Sequence, residues 1–373
     1  MVRSISVGIM AYRSRKLTMP FAEASYFRQL IAAASSLAIK AFVFCPLDIN
    51  WHNRTIYGYA YQNSVGSWFA RQFPFPDVVY DRLFPPRGRL ANVLFAAAKR
   101  LRRQGNVRLF GRSGRGKWET YRALFKHADL KEHIPHTMIL RHVDDLAFMI
   151  KKYGYVFVKP DMGSQGKGVV AIREIANGFS CHGRDHQNMP FSVNVTSLNA
   201  VLALARAASQ RKRLLVQQGL NLNHLRGRTF DIRAVVQKDH EGKWQVTGTA
   251  VRMGRPNSVT SNLHGGGSAV RTEGLLRNLF AEKSADIMAV LSRLAVSIPE
   301  LMDRELGRYG ELGLDFGVDR DGKVWLIEAN SKPGRTIFLH IKDPSLRQVS
   351  ILRPMQYCKY LALEKRSGGE SLG

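Results

Sequence analysis

The sequence predicts a mixed α/β (α+β) protein of two or three lobes, in which a small parallel sheet comes first. The run SISVGIM, a helical pattern over 21–38 and the run AFVFCPL give a β–α–β rhythm at the amino terminus. Strand-like runs and helical patterns then alternate along the chain. At 373 residues the chain exceeds one compact core, and a hydrophobic fraction of 45% is sufficient to build several.

The remaining elements follow in order. Four prolines between 74 and 86 interrupt the pattern around a short strand, DVVYDRL, and the Gly- and Arg-rich stretch 105–117 marks a boundary. Residues 174–197 are predicted to be polar and irregular. Helices are predicted at 118–127, 143–152, 197–211 (capped by Thr196 or Ser197) and 285–298, and strands at YVFVKP, LLVQQGL, FDIRAVVQKD and KWQVTGTAVRMG.

The charge of the chain is strongly positive, with 56 Lys and Arg against 29 Asp and Glu and a net charge of +27. Such a field attracts polyanions. The basic clusters at 99–103, 108–117 and 211–213 lie in no zinc finger, helix-turn-helix or aromatic-interleaved RNA-binding motif. Specific nucleic-acid binding is therefore not expected, and an acidic substrate, nucleotide phosphates or plain solvation remain to explain the charge.

The apolar and cysteine patterns indicate a cytoplasmic protein without a membrane span. The longest apolar run, 200–208, is interrupted by Arg206 and falls short of the ~18 residues that a membrane helix needs. The amino terminus lacks the apolar core of a secretory signal. Cys45, Cys181 and Cys358 are odd in number and widely spaced, which predicts neither a disulfide framework nor a CxxC metal site.

The segment 311–334, ELGLDFGVDRDGKVWLIEANSKPG, is the sharpest signal in the chain. A two-residue turn at 321–322 would place Arg320 opposite Lys323 and Asp315 opposite Glu328, with Asn330 on the same face. Opposed carboxylates repel unless a positive charge lies between them. Two carboxylates and an amide oxygen suit Mg²⁺, with phosphate oxygens completing its shell. A solvated hairpin slipped by one residue is the alternative.

The segment VKPDMGSQGKGVV predicts a hairpin that could bind phosphate. Lys159 ends one strand, and a turn containing Gly163, Gly166 and Gly168 leads into the next. Glycines allow the backbone N–H groups to approach phosphate closely, and the lysine adds a point charge. The segment is not a Walker motif. A plain glycine-rich hairpin remains an alternative.

Polar side chains on neighbouring strands extend this candidate site. Gln217 and Gln218 suit an adenine edge, although glutamine at a strand end is common. Arginine on a strand is well placed to hold a phosphoryl group in transfer, because its charge persists at any working pH. The alternatives are an ion pair of Arg233 with Asp231 or another acid, and a flexible turn at Gly265-Gly266-Gly267. The other candidates are Arg252, Asn262 and His264.

Other catalytic classes lack their motifs. The eleven histidines show no HxxxH or HExxH spacing, and no GxSxG elbow or Cys-His signature is present. Zinc chemistry and covalent Ser or Cys catalysis are therefore not expected.

The order of these motifs resembles the ATP-grasp superfamily, and QQGL, FDIRAVVQKD, SNLHGGG and LGLDFGVDRDGKVWLIEANSKPG resemble its YheC/YheD-type, endospore coat-associated branch. The resemblance covers about 1–365 and is strongest over 117–335. It implies an ATP-grasp fold behind an amino-terminal parallel-sheet domain. It also implies Mg²⁺ at Asp315, Glu328 and Asn330, and phosphoryl contacts from Arg233, Arg252 and Asn262. The nucleotide-binding set is Lys117, Lys159, Ser164, Gln165, Gly166, Lys167, Gly168, Gln217, Gln218, Gly219, Leu220 and Asp231. The hinge departs from the commoner Glu-containing pattern.

These observations lead to one favoured hypothesis and two alternatives. The first is an ATP- and Mg²⁺-dependent carboxylate–amine ligase acting through an acyl-phosphate, on unidentified and acidic substrates, with a link to spore formation. The alternatives are a kinase with the same ATP site and a non-catalytic ATP-binding protein of a spore layer. Residues 174–197 and the amino-terminal domain are expected to shape the substrate pocket. We expect an amino-terminal domain at 1–110, a small lobe at 111–218, a large lobe at 219–365 and a tail at 366–373.

Overall fold

The structure, a computed structural model, describes residues 4–13, 20–84, 88–105, 107–111, 116–163, 166–210, 212–222, 224–225, 228–254 and 268–370, without side chains at 224–225 and 365–370. In these ranges the strands form three sheets, of seven, six and six strands. No helix within them has the length and apolar character needed to cross a membrane.

The first sheet has a parallel centre, as predicted. Its strands are β1 (Ile5–Met10), β2 (Ile39–Phe44), β3 (Ile49–Asn50), β4 (Thr55–Gln62), β5 (Ser67–Pro74), β6 (Val78–Asp81) and β7 (Arg108–Phe110). Strand β1 pairs in parallel with β2 and β6, and β6 with β7. Strands β4 and β5 form an antiparallel hairpin at one edge.

Helices cover both faces of this sheet. Helix α1 (Ala24–Ser36) and the carboxyl-terminal helix α10 (Pro344–Glu370) pack on one face, and α2 (Arg89–Arg102) packs on the other. In α2 the side chains of Leu94, Ala98 and Leu101 are buried at the i, i+4, i+7 spacing of a single helix face. The predicted tail at 366–373 begins within α10, and the predicted domain boundaries stay a prediction.

The second sheet is antiparallel throughout, in the order β12-β11-β10-β9-β13-β8. Its strands are β8 (Thr137–Leu140), β9 (Tyr155–Pro160), β10 (Val170–Ile175), β11 (Gly178–Arg184), β12 (Pro190–Val195) and β13 (Leu214–Gln218). Helices α5 (Val143–Tyr153) and α6 (Leu198–Ala208) pack on it. The hydroxyl of Ser197 accepts a hydrogen bond from the Ala200 amide, which confirms one of the two predicted caps of α6.

The expectation that 174–197 is irregular is wrong, because most of these residues belong to β11 and β12. Strand β12 lies at the open edge of the sheet, and four of its six residues are exposed. An edge strand that buries neither face need not show alternation of apolar and polar residues. Strand β12 is therefore invisible to a search for that pattern.

The third sheet carries the predicted metal hairpin. Its strands are β14 (His224–Leu225), β15 (Arg228–Lys238), β16 (Trp244–Met253), β17 (Ser268–Val270), β18 (Glu311–Val318) and β19 (Val324–Asn330), with β18 between β15 and β19. Helices α3 (Lys117–Phe125), α4 (Ala128–Lys131), α7 (Thr272–Phe280) and α8 (Ser284–Leu306) share its larger core. The short α9 (Ile337–His340) packs on a smaller cluster. Helix α8 continues past Pro299 to Leu306, whereas the predicted helix ends at residue 298.

Candidate active site

The hairpin between β18 and β19 has a longer turn than predicted. The Asp319 amide donates to the Lys323 carbonyl over 3.0 Å, so the connection consists of three residues, 320–322. Gly322 closes it in the left-handed region, at φ 91°. The predicted two-residue turn, with Arg320 opposite Lys323, is therefore wrong by one residue.

A bulge on β19 restores the predicted pairing of the two carboxylates. Phe316 pairs with Leu326, but Asp315 pairs with Glu328, so Ile327 is the extra residue. A bulge of one residue exchanges the faces of all later side chains. Asp315 and Glu328 are thus brought opposite each other, as the sequence predicted, although by a different route.

Asp315 lies in a buried network of cations. Arg233 approaches it with two donors, one of them 2.9 Å from Oδ2, and an Arg252 nitrogen lies 3.0 Å from the same oxygen. Arg252 also donates to Asp231, with Nε 2.6 Å from Oδ1. Asn330 donates its amide to Asp315 over 3.2 Å. The ion pair of Arg233 with an acid therefore exists, but it is buried and its partner is Asp315.

The two guanidinium groups determine the ionisation of Asp315. Burial alone would raise the pKa of this carboxyl, but the charges of Arg233 and Arg252 outweigh it and hold the pKa below its usual value. Asp315 is therefore a carboxylate at neutral pH. The repulsion expected between opposed carboxylates is also relieved, because positive charges surround both of them.

Two lysines approach Glu328 and the glycine-rich turn from separate elements. Lys117, at the start of α3, places Nζ 3.0 Å from Glu328 Oε1 and 2.8 Å from the Gly163 carbonyl oxygen. Lys159, at the end of β9, donates to Gln217 Oε1 over 2.8 Å. The Gln217 amide in turn donates to the Thr137 hydroxyl over 2.7 Å. Gln217 thus holds the ammonium group of Lys159 in place.

Lys159 has an unusually low pKa of about 8. The main cause is burial, which disfavours the charged form, and the nearby Lys117 ammonium adds to it, whereas Glu328 acts in the opposite direction. Two ammonium groups held together in a partly buried cleft favour an anion as the ligand between them.

Asp161, which sequence reasoning missed, fixes the start of α3. Its Oδ1 accepts from the Trp118 amide over 2.8 Å, and its carbonyl oxygen accepts from the Lys117 amide over 3.1 Å. Gly116 packs so closely that an added Cβ would lie 2.5 Å from Asp161 Oδ2. Arg213 forms an ion pair with the same carboxylate. Because Asp161 caps a helix that lies 43 residues earlier in the chain, no local sequence pattern could indicate this role.

A cleft between the second and third sheets is lined by Lys117, Lys159, Gln217, Glu328 and Asn330, whereas Asp315, Arg233 and Arg252 are not among its lining residues. Apolar side chains, most of them from α3, β13 and β19, complete the lining: Tyr121, Leu124, Ile134, Leu215 and Leu326. A lining that combines charged and apolar groups suits a ligand with an anionic end and a flat apolar end.

The other predicted site residues lie in the glycine-rich turn, at the end of β13, or outside the described residues. Gly166 and Gly168 have positive φ, at 72° and 73°, so the turn that contains Lys167 depends on glycine. The Gln218 and Gly219 amides donate to the backbone carbonyls of His136 and Tyr155. Gln218, Gly219 and Leu220 continue from β13 beyond the cleft wall, and no residue from 174–197 is among those that line it. Ser164, Gln165, Asn262 and His264 lie outside the described residues.

The donor atoms present fit a magnesium ion. Asp315 and Glu328 offer carboxylate oxygens and Asn330 an amide oxygen, all from one hairpin, and hard oxygens are the ligands that Mg²⁺ prefers. Asp315 is charged, and Glu328 contacts the cleft through its partly exposed side chain. No sulfur or imidazole belongs to this set, which agrees with a hard cation.

Solved structures with similar folds are ATP-grasp ligases and related enzymes. D-alanyl-alanine synthetase A from Vibrio cholerae O1 biovar eltor str. N16961 superimposes with a TM-score of 0.53 at 12% identity, over 98% of this chain and 99% of that one. The ATP-grasp ligase PsnB, complexed with a minimal precursor, has a TM-score of 0.53 at 12% identity over 94% and 99%. VanG D-Ala:D-Ser ligase from Enterococcus faecalis has a TM-score of 0.51 at 13% identity over 96% and 98%. The fold is therefore the predicted ATP-grasp fold.

The sequence comparisons identify the branch. The family model described as YheC/D like ATP-grasp matches residues 106–361. Endospore coat-associated protein YheD of Bacillus subtilis (strain 168) is 30% identical, over 95% of this chain and 78% of the relative. Endospore coat-associated protein YheC of the same strain is 26% identical over 93% and 95%. The chain belongs to the YheC/D-like family of ATP-grasp proteins.

Proposed function

We propose that the protein is an ATP-dependent carboxylate–amine ligase that acts through an acyl-phosphate. One observation carries the proposal: Lys117 and Lys159, from separate elements, lie in the same cleft as Glu328 and Asn330 of the metal hairpin. A cleft that joins two ammonium groups to a hard-oxygen donor set suits a nucleotide triphosphate with its cation.

The residues of the chain have distinct tasks in this proposal. Lys117 and Lys159 bind the ATP phosphates, with Gln217 orienting Lys159. The glycine-rich turn covers the phosphates, and the apolar part of the cleft receives the adenine ring. Mg²⁺ would be held by Asp315, Glu328 and Asn330, and it neutralises phosphate charge when bound. Arg233 and Arg252 stabilise the charge of the transferring phosphoryl group, and their ion pairs with Asp315 and Asp231 fix both guanidinium planes.

The proposed reaction has two steps. A carboxylate oxygen of the substrate attacks the γ-phosphorus, the bond to the bridging oxygen breaks, and ADP leaves. An amine then attacks the acyl carbon of the acyl-phosphate, loses a proton and expels inorganic phosphate. Neither step requires a nucleophile from the protein, so the residues above need only position groups and stabilise charge.

A kinase would use the same ATP site, and trapping separates the two reactions. We expect hydroxylamine to intercept the acyl-phosphate and yield a hydroxamate when ATP, Mg²⁺ and a carboxylate substrate are present. The carboxylate substrate is identified first, by screening amino acids and short acidic peptides for substrate-dependent ADP release. ADP release with a phosphorylated hydroxyl product and no hydroxamate would overturn the ligase proposal in favour of a kinase.

Replacement of Glu328 tests the site directly. Glu328→Gln removes one carboxylate charge from the donor set, and we expect it to lower ADP release at least about 100-fold because a metal ligand is weakened. The matched control is Glu241→Gln, which removes an exposed glutamate that also pairs with a lysine, Lys243, over 2.7 Å. Equal activity in Glu328→Gln and the control would refute the metal assignment.

The proposal also covers the class of substrate and the cellular setting of the protein. The net charge of +27 favours acidic substrates, such as a glutamate-rich peptide. The names of YheD and YheC place those relatives at the endospore coat, and we extend the same setting to this chain. The three buried free cysteines suit catalysis in a reducing cytoplasm.

A further inference from the structure

One tenth of the chain contains an unbalanced concentration of positive charge. The 37 residues 82–118 contain 11 Lys and Arg and no Asp or Glu. Their centre is α2, which covers one face of the first sheet. In the third sheet, by contrast, Arg233 and Arg252 are paired with Asp315 and Asp231.

Helix α2 presents its basic residues outward. Its buried face is Leu94, Ala98 and Leu101, whereas Lys99, Arg100 and Arg103 are exposed. Lys99, Arg100 and Arg103 fall within one turn and a half at the carboxyl end, where cations also stabilise the helix dipole. The helix dipole explains a preference for cations there, but not the lack of any acidic residue throughout 82–118.

The ion pairs of this stretch leave most of the outward charge uncompensated. Arg82 pairs with Glu23 and Glu311, and Arg102 pairs with Asp81. Arg108 contacts Glu364, and Lys117 contacts Glu328. Across the part of the chain that the structure describes, the basic residues of α2 and its carboxyl end that form no ion pair are Arg89, Lys99, Arg100 and Arg103.

Aromatic stacking extends and orders this surface. The Arg100 guanidinium lies 4.2 Å from the centroid of the Trp51 ring. Trp51 packs edge-on against Phe75, and the Arg54 guanidinium lies 4.9 Å over the Phe75 ring. A guanidinium stacked on an aromatic ring has limited freedom, and its N–H donors point sideways toward solvent. Arg54 and Arg100 are thus two ordered donors on the same face as Lys99 and Arg103.

We propose that this surface, formed by Arg54, Lys99, Arg100 and Arg103 around Trp51, is a docking site for an acidic polypeptide outside the ATP cleft. Carboxylates accept two parallel hydrogen bonds from a guanidinium, which an ordered, stacked arginine presents at low entropic cost. Side chains on one face of an extended peptide recur every ~6.6 Å, close to the ~6 Å that separates Lys99 from Arg103 along the helix axis. The surface therefore matches an extended chain rich in Glu or Asp.

The same contacts disfavour nucleic acid. Single strands bind through bases stacked on free aromatic faces. In this surface, one face of Trp51 is covered by Arg100, and its ring makes a T-shaped contact with the buried Phe75 ring. Carboxylate recognition requires only the guanidinium edges, which are exposed.

A charge-reversal pair tests the surface. The probe is fluorescently labelled poly-L-glutamate, measured by anisotropy in ~0.1 M salt without ATP. We expect Lys99→Glu with Arg100→Glu to weaken binding at least about tenfold, because four units of charge change at the point of contact. The control is Lys151→Glu with Lys152→Glu, which makes the same charge change in the last turn of α5, where Lys152 also stacks on aromatic rings. We expect the control to weaken binding less than about twofold.

Several outcomes would overturn the inference. Equal weakening by the two pairs would mean that only the total charge matters. Tighter binding of an oligo-dT of equal charge, lost in the α2 pair alone, would assign the surface to nucleic acid. Thermal unfolding checks that the variants fold. If the charge-reversal variant does not fold, Lys99→Gln with Arg100→Gln replaces it, and we expect that pair to weaken binding by an intermediate factor. The docking surface itself does not depend on the proposed function. Only the idea that the bound polypeptide is a substrate of the ligase rests on it. A protein that binds poly-L-glutamate but never releases ADP would refute the ligase and leave the docking surface intact.

Discussion

Lys159 shows how a single side chain can couple nucleotide binding to pH. Its ammonium group is buried beside Lys117, and the two charges disfavour each other in the absence of an anion. Gln217 satisfies one donor but carries no charge. The free protein therefore holds the Lys159 proton weakly, and a phosphate placed between the lysines would hold it firmly.

We predict that ATP binding takes up a proton above pH ~8. The pKa of Lys159 is about 8 without ligand, and phosphate charge raises it, so between these two values the complex binds more protons than the free protein. Affinity for ATP should fall as the pH rises through this window and be level below about pH 7. Calorimetry at about pH 8.5 in buffers of different ionisation enthalpy measures the uptake. Lys159→Gln should abolish it, and a wild-type binding enthalpy that is independent of the buffer would contradict the prediction.

Asp315 and Glu328 are equivalent in the sequence pattern but not in the structure. Removal of the Asp315 side chain would leave Arg233 and Arg252 buried with one charge partner fewer, which destabilises a fold strongly. Glu328 is partly exposed, and within the described residues it forms an ion pair with Lys117 alone, so its charge can be removed at lower cost. The sequence predicts both carboxylates as metal ligands, but burial decides which of the two predictions can be tested cleanly.

At the scale of elements, the sequence predicts strands and helices better than their connections. The strongly apolar runs, such as β9, β13, β15 and β18, have the expected positions. The pairing of Asp315 with Glu328 is right although the turn is wrong, because the bulge at Ile327 cancels the longer turn. A bulge leaves no signature in the pattern of side chains. The pairing could therefore be predicted and its geometry could not.

Elements that bury little were missed for a common reason. The β4–β5 hairpin and strand β12 lie at sheet edges, and β5 exposes most of its residues. Without a buried face there is no period of two to detect. The site residues supplied by distant elements were missed as well. Asp161 caps α3 across 43 residues, and Thr137 binds Gln217 across 80.

We predict that the close contact between α3 and the glycine-rich turn is necessary for nucleotide binding. In Gly116→Ala the new Cβ would lie 2.5–2.6 Å from both Asp161 carboxylate oxygens, so the cap and Lys117 must move. We expect a loss of about 1–3 kcal/mol in the free energy of unfolding and a weaker affinity for ATP, measured by calorimetry. Gly274→Ala is the control, since no atom lies within 4 Å of its Cβ. Alanine there should stabilise the protein by about 0.5–1 kcal/mol and leave ATP affinity unchanged. Equal ATP affinity in the two variants would contradict the role of the contact.

At the scale of the whole molecule, the first and third sheets are joined by buried charges rather than by apolar contact alone. The end of β6 contributes Asp81, which accepts from Lys332 over 2.7 Å, two residues beyond Asn330. Tyr80 and Arg82, on either side, contact Glu311 of β18. The loop that follows the β18–β19 hairpin is thus attached to the amino-terminal sheet. Composition predicted several lobes, but pairings across 229 residues and more leave no trace in local sequence.

The last prediction concerns Glu311, the centre of this junction. Its fully buried carboxylate contacts Arg335, Arg82, Tyr80 and the Gln237 amide, which lies 3.2 Å from Oε2. Glu311→Ala would leave two buried guanidinium groups without their shared acid, and breaking a buried pair in this way costs about 3–5 kcal/mol. We expect a loss of that size in the free energy of unfolding, measured with urea. The control, Glu241→Ala, breaks an exposed pair with Lys243 and should leave stability unchanged within error. A loss in Glu311→Ala no larger than in the control would mean that the sheets are held together by apolar packing, and that Arg82 and Arg335 find other partners.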